Sequence, residues 1–253
     1  MFYLIGIGLK PEHISLEALN AIKKCKKVFL ESYTSVYPEG SIKELQGKTR
    51  KKIISLGREQ VEKKYKKYFF DKKENTALLV YGNPLTATTH LSLLLELKKK
   101  RIPFKAIPSL SIIDFVSLTG LSAYRFGGIT SIVFPEKNYA PESFYDVIAK
   151  NKKNDLHSLC LLDIKAEEKK FMSVKEAIEI LEGIEAKRKE KIISESILVG
   201  MSAVGSSKMQ LKAGRAEELK KYSFGGRPHS LIVCSRLSEF ELNALKELSE
   251  FNE

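Results

Sequence analysis

Apolar and polar positions along this chain follow two repeating patterns. Short apolar runs bounded by turn residues predict strands at 2–6, 28–31, 53–56, 77–81, 104–107, 130–134, 157–164, 197–204 and 230–235. Apolar residues at helical spacing between these runs predict amphipathic helices, including one at 15–24 and one at 59–70. Strands that alternate with helices are typical of an α/β fold and argue against the all-α and all-β classes.

Three helix-start signals support this organisation. Ser173 with Glu176, and again Ser238 with Glu241, have the spacing of a capping box, in which each side chain bonds the backbone N–H of the other residue. Pro141 also suits a helix start, because its φ is fixed near the helical value.

The chain is long enough for two domains. Its 253 residues, 43% of them apolar, can bury one large core or two modest ones. The segment 109–121, which is rich in Ser and Ile, is predicted to cross between two lobes. The sequence therefore predicts an N-terminal α/β lobe at 1–113 and a C-terminal α/β lobe at 114–253.

Targeting and cysteine signals favour a cytoplasmic location. Residues 1–9 are apolar but few and lack a basic leader, so they predict a buried strand rather than a signal peptide. No apolar run approaches the roughly 20 residues of a membrane helix, so no membrane association is expected. The cysteines, Cys25, Cys160 and Cys234, are widely spaced and predict neither a disulfide framework nor a zinc site, which fits a reducing cytoplasm.

The formal net charge of +12 has two interpretations. Most lysine clusters are interleaved with glutamates on predicted helices, as in 59–67, which is typical of solvated helix faces. The alternative is electrostatic attraction to an acidic partner, either a protein or a nucleic acid. No arginine-rich arm, zinc finger or aromatic RNA-binding motif accompanies the charge, so nucleic acid is not expected as a partner.

The most informative local pattern is the stretch YGNPLTATTH at 81–90. An apolar strand ends there in a Gly-Asn-Pro turn and is followed by leucines at helical spacing. Thr86, Thr88 or Thr89 could cap this helix, and the free backbone N–H groups at its start would then face a ligand at the strand end. The alternative is an ordinary strand-to-helix corner without a ligand.

Motifs of other enzyme classes are missing. Gly6-x-Gly8 follows the first strand, but Pro11 interrupts the dinucleotide-binding pattern. There is no Walker A motif, HExxH motif or nucleophile elbow, and the four histidines lack metal-ligand spacing. No metal is therefore expected and no catalytic residue is identified. An enzyme with this residue set would act by positioning two substrates.

From residue 1 to about residue 248, the chain resembles the diphthine synthases. The resemblance is carried in order by YLIGIGL at 3–9, ESYTS at 31–35, GNPLTATTH at 82–90, SI at 111–112, TGL at 119–121, YRFG at 124–127, FPEKNY at 134–139, PES at 141–143, YDVI at 145–148, LLDIKAE at 161–167 and PHSLIV at 228–233. Each motif is short, but so many in the same order are specific.

The resemblance implies an S-adenosylmethionine-dependent methyltransferase with the fold of the tetrapyrrole methylases. Such proteins have two α/β lobes with the cofactor in the cleft between them, and they are usually homodimers. The implied substrate is translation elongation factor 2, whose histidine carries a 3-amino-3-carboxypropyl group. Methylation of the amino group of this 3-amino-3-carboxypropyl chain gives diphthine, an intermediate on the way to diphthamide. The implied mechanism is direct displacement of the methyl group by the amine, once the amine has lost its proton.

The resemblance also implies a set of cofactor contacts. These are Leu9, Asn83, Thr86, Ser111, Ile112, Leu162, Val204 and His229. Two of them depart from the usual family pattern: Asn83 stands where an aspartate is common, and Thr86 where valine or another small residue is common. A structural role at a strand edge is the alternative for His229.

The sequence leaves open the number of methyl groups added and two alternative functions. Archaeal relatives add three methyl groups, whereas eukaryotic relatives add a fourth as an ester, and the sequence does not decide between them. A same-fold enzyme acting on a tetrapyrrole or on ribosomal RNA is one alternative function. A non-catalytic, basic RNA-binding protein is another.

Overall fold

The computed structural model describes residues 1–71, 73–137 and 139–251. The chain divides into two compact units: Met1–Asp114 with Lys165–Lys169, and Phe115–Ile164 with Lys170–Glu253. The domains at 1–113 and 114–253 stay a prediction, because compactness does not test whether either segment folds alone. Asn138, in the motif at 134–139, and residues 252–253 of the predicted second lobe lie outside the described residues.

The first unit is built on a parallel five-stranded sheet. Its strands are β1 Phe2–Gly6, β2 Lys27–Glu31, β3 Ile53–Leu56, β4 Thr76–Val80 and β5 Phe104–Ile107, in the order β3-β2-β4-β1-β5. Every neighbouring pair runs parallel, so the carboxyl ends of all five strands meet at one edge. The strands predicted in this half of the chain are thereby confirmed, three of them to the residue.

Two core layers cover the faces of this sheet. Along β1, Tyr3 and Ile5 pack into one layer, whereas Phe2 and Leu4 pack into the other. This alternation follows from the two-residue repeat of a strand. Because both faces are covered, the central strands β1 and β4 are buried along their whole length and mostly apolar rather than alternating.

The two helices predicted by range in the first unit, at 15–24 and 59–70, are shorter or interrupted in the structure. The helices of this unit are α1 Leu16–Lys23, α2 Ile42–Thr49, α3 Arg58–Glu62, α4 Tyr65–Phe69 and α5 His90–Lys99. The single helix predicted at 59–70 is wrong, since the backbone of Lys64 leaves helical geometry between α3 and α4. Four lysines at 63, 64, 66 and 67 would repel one another at three- and four-residue spacing in a continuous helix, which disfavours it.

The second unit contains a mixed five-stranded sheet. Its strands are β6 Thr130–Ile132, β7 Ser158–Leu162, β10 Leu198–Ser202, β11 Gln210–Gly214 and β12 His229–Val233, in the order β11-β10-β12-β7-β6. β6 and β7 run parallel, and the other three pairs are antiparallel. A two-stranded sheet pairs β8 Ile164–Lys165 with β9 Lys170–Phe171.

Four helices accompany this second sheet. They are α6 Ser143–Lys153, α7 Val174–Arg188, α8 Ala216–Lys221 and α9 Glu239–Leu248. Both predicted capping boxes are confirmed, at the start of α7 and of α9. Pro141 lies two residues before α6, and the predicted crossover segment contains a 3-10 helix at Ile112–Thr119. No helix within the described ranges combines the length and the apolar character needed to cross a membrane.

Candidate functional site

Two glycines join the ends of β1 and β4 at the carboxyl edge of the parallel sheet. The Gly82 N–H donates to the Gly8 carbonyl at 2.9 Å, and the Gly8 N–H donates to the Gly82 carbonyl at 3.3 Å. Both glycines have positive φ values, 67° and 70°, which disfavour a side chain. The next residues, Leu9 and Asn83, are therefore brought to the same edge.

The turn that follows Gly82 is held by its own hydrogen bonds. The side-chain carbonyl of Asn83 accepts from the Leu85 N–H at 3.1 Å, and the backbone carbonyl of Asn83 accepts from the Thr86 N–H at 3.2 Å. Asparagine at this position thus shapes an Asx turn, a role that aspartate performs equally well. Thr86 is half-buried next to it.

The predicted threonine cap of the following helix is wrong. Thr89 occupies the N-cap position of α5, but its side chain makes no capping bond within the described chain. Thr88 instead donates its hydroxyl to the Pro84 carbonyl at 2.8 Å. Ala87 has a left-handed backbone, with φ of 53°, so the chain makes a further turn before the helix begins.

Ser111 and Ile112 follow β5 at the same end of the sheet. Ser111 is buried, and its N–H and hydroxyl both donate to one oxygen of Asp114, at 2.6 and 3.1 Å. A Cβ atom added to Gly82 would lie 3.8 Å from the Ser111 Cβ, so the two residues are neighbours. Five of the predicted contacts therefore lie on the loops after β1, β4 and β5, where parallel sheets commonly bind ligands. We call Leu9, Asn83, Thr86, Ser111 and Ile112 the first cluster.

The other three predicted contacts lie at one end of the mixed sheet. His229 pairs with Ser202, the last residue of β10, and Ser230 pairs with Leu161 of β7. This register places Leu162 and Val204 at the same sheet end as His229. All three are buried, with 5%, 6% and 7% of their surfaces exposed. We call Leu162, Val204 and His229 the second cluster.

The ring of His229 has an unused hydrogen-bond acceptor. Its Nε2 lies 2.7 Å from the Gly226 carbonyl, which only accepts, so Nε2 carries the proton. Burial lowers the pKa of His229, which favours the neutral ring. Nδ1 is then a lone-pair acceptor, and among the described residues it has no partner. Leaving a buried acceptor unpaired costs about 1–3 kcal/mol, so a donor such as a ligand hydroxyl or amine fits this site.

Within the described residues, the titratable and thiol side chains form neither a metal site nor a reactive cysteine. No cluster of three His, Cys, Asp or Glu side chains that could hold a metal occurs in the described part of the chain. All three cysteines are buried, and burial raises the pKa of Cys25 to about 11 and that of Cys160 to about 12. Such thiols are poor nucleophiles at neutral pH.

One close pair was missed by sequence reasoning. His90 Nε2 lies 2.5 Å from a carboxylate oxygen of Glu31, and both side chains are buried. The only signal in the sequence is that Glu31 opens one motif of the resemblance and His90 closes another. Nothing in either motif indicates that the two side chains meet.

The chain is similar in sequence to a known enzyme family along most of its length. A family model described as Tetrapyrrole (Corrin/Porphyrin) Methylases matches residues 1–237. The chain is 40% identical over 253 residues to the diphthine synthase of Methanococcus vannielii, with 99% of each chain covered. It is 39% identical over 272 residues to the diphthine methyl ester synthase of Saccharomyces cerevisiae, covering 100% of this chain and 91% of the yeast protein.

A solved structure of a diphthine synthase matches with a TM-score of 0.87 and 29% identity, covering 99% of this chain and 96% of that chain. The chain therefore belongs to the tetrapyrrole methylase family and, within it, to the diphthine synthases. The predicted family and α/β fold are thus confirmed.

Proposed function

We propose that this protein is a methyltransferase of diphthamide biosynthesis. It uses S-adenosylmethionine to methylate the amino group of the 3-amino-3-carboxypropyl histidine of translation elongation factor 2, and the product is diphthine. The observation that carries the proposal is the 40% identity over 99% of both chains to a relative named diphthine synthase.

The proposed cofactor contacts are the residues of the two clusters. When bound, S-adenosylmethionine supplies a methyl group made electrophilic by its positively charged sulfur. Asn83 and Thr86 shape a turn at the sheet edge, and the Nδ1 atom of His229 offers a buried acceptor for a hydroxyl or amine. Apolar side chains of Leu9, Leu162 and Val204 suit a flat aromatic base, because burial of apolar surface favours binding.

In the proposed reaction, the main task of the protein is to position the substrate amine and the methyl donor. The substrate amine must lose its proton before each transfer, because an ammonium group has no lone pair. We assign no side chain to this step, and water can carry the proton away to solvent. Aligning the amine with the methyl donor can by itself supply about 7 kcal/mol or more of the barrier reduction.

The proposal is tested with elongation factor 2 that carries the aminocarboxypropyl histidine. The protein, S-adenosylmethionine and this substrate are incubated, and the modified peptide is analysed by mass spectrometry. We expect successive methyl additions, and none on factor that carries an unmodified histidine. Lability of the last methyl group to mild base would identify an ester. No methylation of the modified peptide would contradict the proposal.

The same assay separates the two alternative functions. An enzyme acting on a tetrapyrrole or ribosomal RNA would methylate those substrates and leave the peptide unchanged. A basic RNA-binding protein would bind RNA with an affinity that falls steeply with salt, and would give no calorimetric signal with S-adenosylmethionine.

We propose further that the protein is a cytoplasmic homodimer. The resemblance supports the dimer, and three buried, free cysteines suit a reducing compartment. Sedimentation analysis at several protein concentrations tests the assembly state. A monomer over the whole range would contradict it.

Asn83 provides a test of the first cluster. Replacing it with aspartate keeps the acceptor for the Leu85 N–H, so we expect Asn83→Asp to bind S-adenosylmethionine as well as the wild type or slightly better. Asn83→Leu removes this acceptor, and about tenfold weaker binding is expected, as for the loss of one hydrogen bond. Calorimetric titration measures both affinities, and circular dichroism controls for folding. Normal affinity in folded Asn83→Leu would exclude Asn83 as a cofactor contact.

A further inference from the structure

The buried pair of His90 and Glu31 connects two segments of the first unit. Glu31 is the last residue of β2 and is fully buried, and His90 is the first residue of α5 with 3% of its surface exposed. His90 Nε2 lies 2.5 Å from one carboxylate oxygen of Glu31, an ion-pair distance without the alignment of a directed hydrogen bond. The hydroxyl of Thr34 donates to the other carboxylate oxygen.

The second nitrogen of the same ring contacts the turn after β4. His90 Nδ1 lies 3.1 Å from the Pro84 carbonyl, which also accepts the Thr88 hydroxyl at 2.8 Å. Pro84 therefore has both lone pairs of its carbonyl occupied. Since Pro84 directly follows Asn83, the imidazole supports the turn that carries Asn83 and Thr86.

The partners of the ring determine where its protons must be. A peptide carbonyl only accepts a hydrogen bond, so Nδ1 must carry a proton to bond Pro84. Nε2 faces Glu31, with one carboxylate oxygen 2.5 Å away, so this contact holds the ring with Nδ1 toward the turn. Glu31 keeps Nδ1 available as a donor to the turn.

We propose that His90, oriented by Glu31, is a positioning residue for S-adenosylmethionine. It fixes the Pro84 carbonyl and thereby the turn that presents Asn83 and Thr86. The role of these two residues as cofactor contacts rests on the proposed function, whereas the effect on the turn itself does not. His90 acts through the backbone of Pro84 and is not assigned a contact with the substrate.

Glutamine at position 31 has no carboxylate, but it can still form hydrogen bonds with both His90 and Thr34. In Glu31→Gln, the amide can donate to Nε2 of a neutral ring, and Nδ1–H can still donate to Pro84. This variant is expected to bind S-adenosylmethionine within about threefold of the wild type, because no hydrogen bond is lost. It also serves as the background for changes at His90, since no unpaired carboxylate then stays buried.

Two substitutions at position 90 separate the contact with the turn from simple packing. The side-chain amide of asparagine places a donor where Nδ1 stood, whereas leucine fills similar space without one. In the Glu31→Gln background, His90→Asn should keep the affinity for S-adenosylmethionine. His90→Leu should weaken it about tenfold, the effect of one lost hydrogen bond.

The experiment measures S-adenosylmethionine affinity by calorimetry, kcat at saturating cofactor, and amide hydrogen exchange without ligand. In the leucine variant we expect a raised KM for the cofactor with kcat nearly unchanged. The amides of Leu85 and Thr86, which close the turn, should exchange at least about tenfold faster than in the asparagine variant. The exchange measurement requires no cofactor, so it tests the positioning role even if the proposed function fails.

Equal affinity and equal exchange rates in the asparagine and leucine variants would overturn the inference and leave a purely structural pair. Wild-type protein that binds S-adenosylmethionine but leaves the modified peptide unmethylated would contradict the proposed function alone.

Discussion

Replacing Glu241 with glutamine is expected to lower the free energy of unfolding at neutral pH by about 3 kcal/mol, the lower end of the effects seen when one partner of a buried ion pair is removed. Glu241 is 1% exposed and lies in the first turn of α9. One of its oxygens is 2.6 Å from Nη1 of Arg125, and the other is 3.1 Å from Nε2 of His157. Glutamine would place an NH2 group against these donors and leave Arg125 without its buried counter-charge.

The carboxylate of Glu241 also accepts backbone hydrogen bonds. Because of them, the contribution of Glu241 to the stability of the fold depends on pH. Burial by itself would raise the pKa of Glu241, but hydrogen bonds from Ser238, His157 and Ser122 outweigh burial and lower it from 4.5 to about 2. A pKa that is lower in the folded state means that Glu241 stabilises the fold above about pH 4.5, and that this contribution is lost as pH falls toward about 2.

Urea unfolding followed by circular dichroism across this acid range measures the effect. The wild type should lose stability as pH falls, and Glu241→Gln should lack that part of the loss. Glu239→Gln is the matched control, because Glu239 is exposed in the first turn of the same helix. Its effect should stay within about 0.5 kcal/mol. Equal effects of the two substitutions would show that the buried contacts of Glu241 do not stabilise the fold.

Replacing Gly6 with alanine is expected to disrupt the first cluster. A Cβ at Gly6 would lie 2.6 Å from the Gly82 carbonyl oxygen, 2.8 Å from Pro84 Cδ and 2.9 Å from Ser109 Cβ. The Gly82 carbonyl cannot move cheaply, because it accepts the Gly8 N–H. Overpacking of this kind typically costs about 1–3 kcal/mol, so stability should fall by about 2 kcal/mol.

The turn must also shift away from β1, so the affinity for S-adenosylmethionine should fall at least about tenfold. Gly47→Ala in α2 is the control, since a Cβ there meets nothing within 4 Å among the described residues. It should leave affinity unchanged and stabilise the helix by up to about 1 kcal/mol. Thermal unfolding and calorimetry measure both quantities. If Gly6→Ala binds the cofactor as tightly as Gly47→Ala, the turn beside β1 does not hold it.

Local sequence signals predicted some elements well for identifiable reasons. The buried central strands β1 and β4 are continuous apolar runs, because both faces of the parallel sheet are covered, and such runs are visible without a structure. Capping boxes depend on residues three apart, so those of α7 and α9 were predicted correctly. The break between α3 and α4 and the strand β11 were missed, since like-charge repulsion and an interrupted apolar pattern give weaker local signals.

For the candidate site, too, the sequence predicted some features and not others. Its residue types and its position after strands could be read from the turn at 82–90, and the family from motifs spread along the chain. The Gly-Asn-Pro turn was also readable from the sequence, but the missing threonine cap of α5 was not, because the left-handed backbone at Ala87 follows from no residue pattern.

By itself, the sequence determined the α/β class, most strands, the two capping boxes and membership of the diphthine synthases. The tertiary structure alone decided that Glu31 meets His90, that Glu241 joins Arg125 and His157, and that one nitrogen of His229 has no partner among the described residues. The spacing of apolar residues indicates which face of a helix or strand is buried, because residues on one face recur every few positions along the chain. Contacts between distant polar residues depend on strand order and register, which the local pattern does not contain.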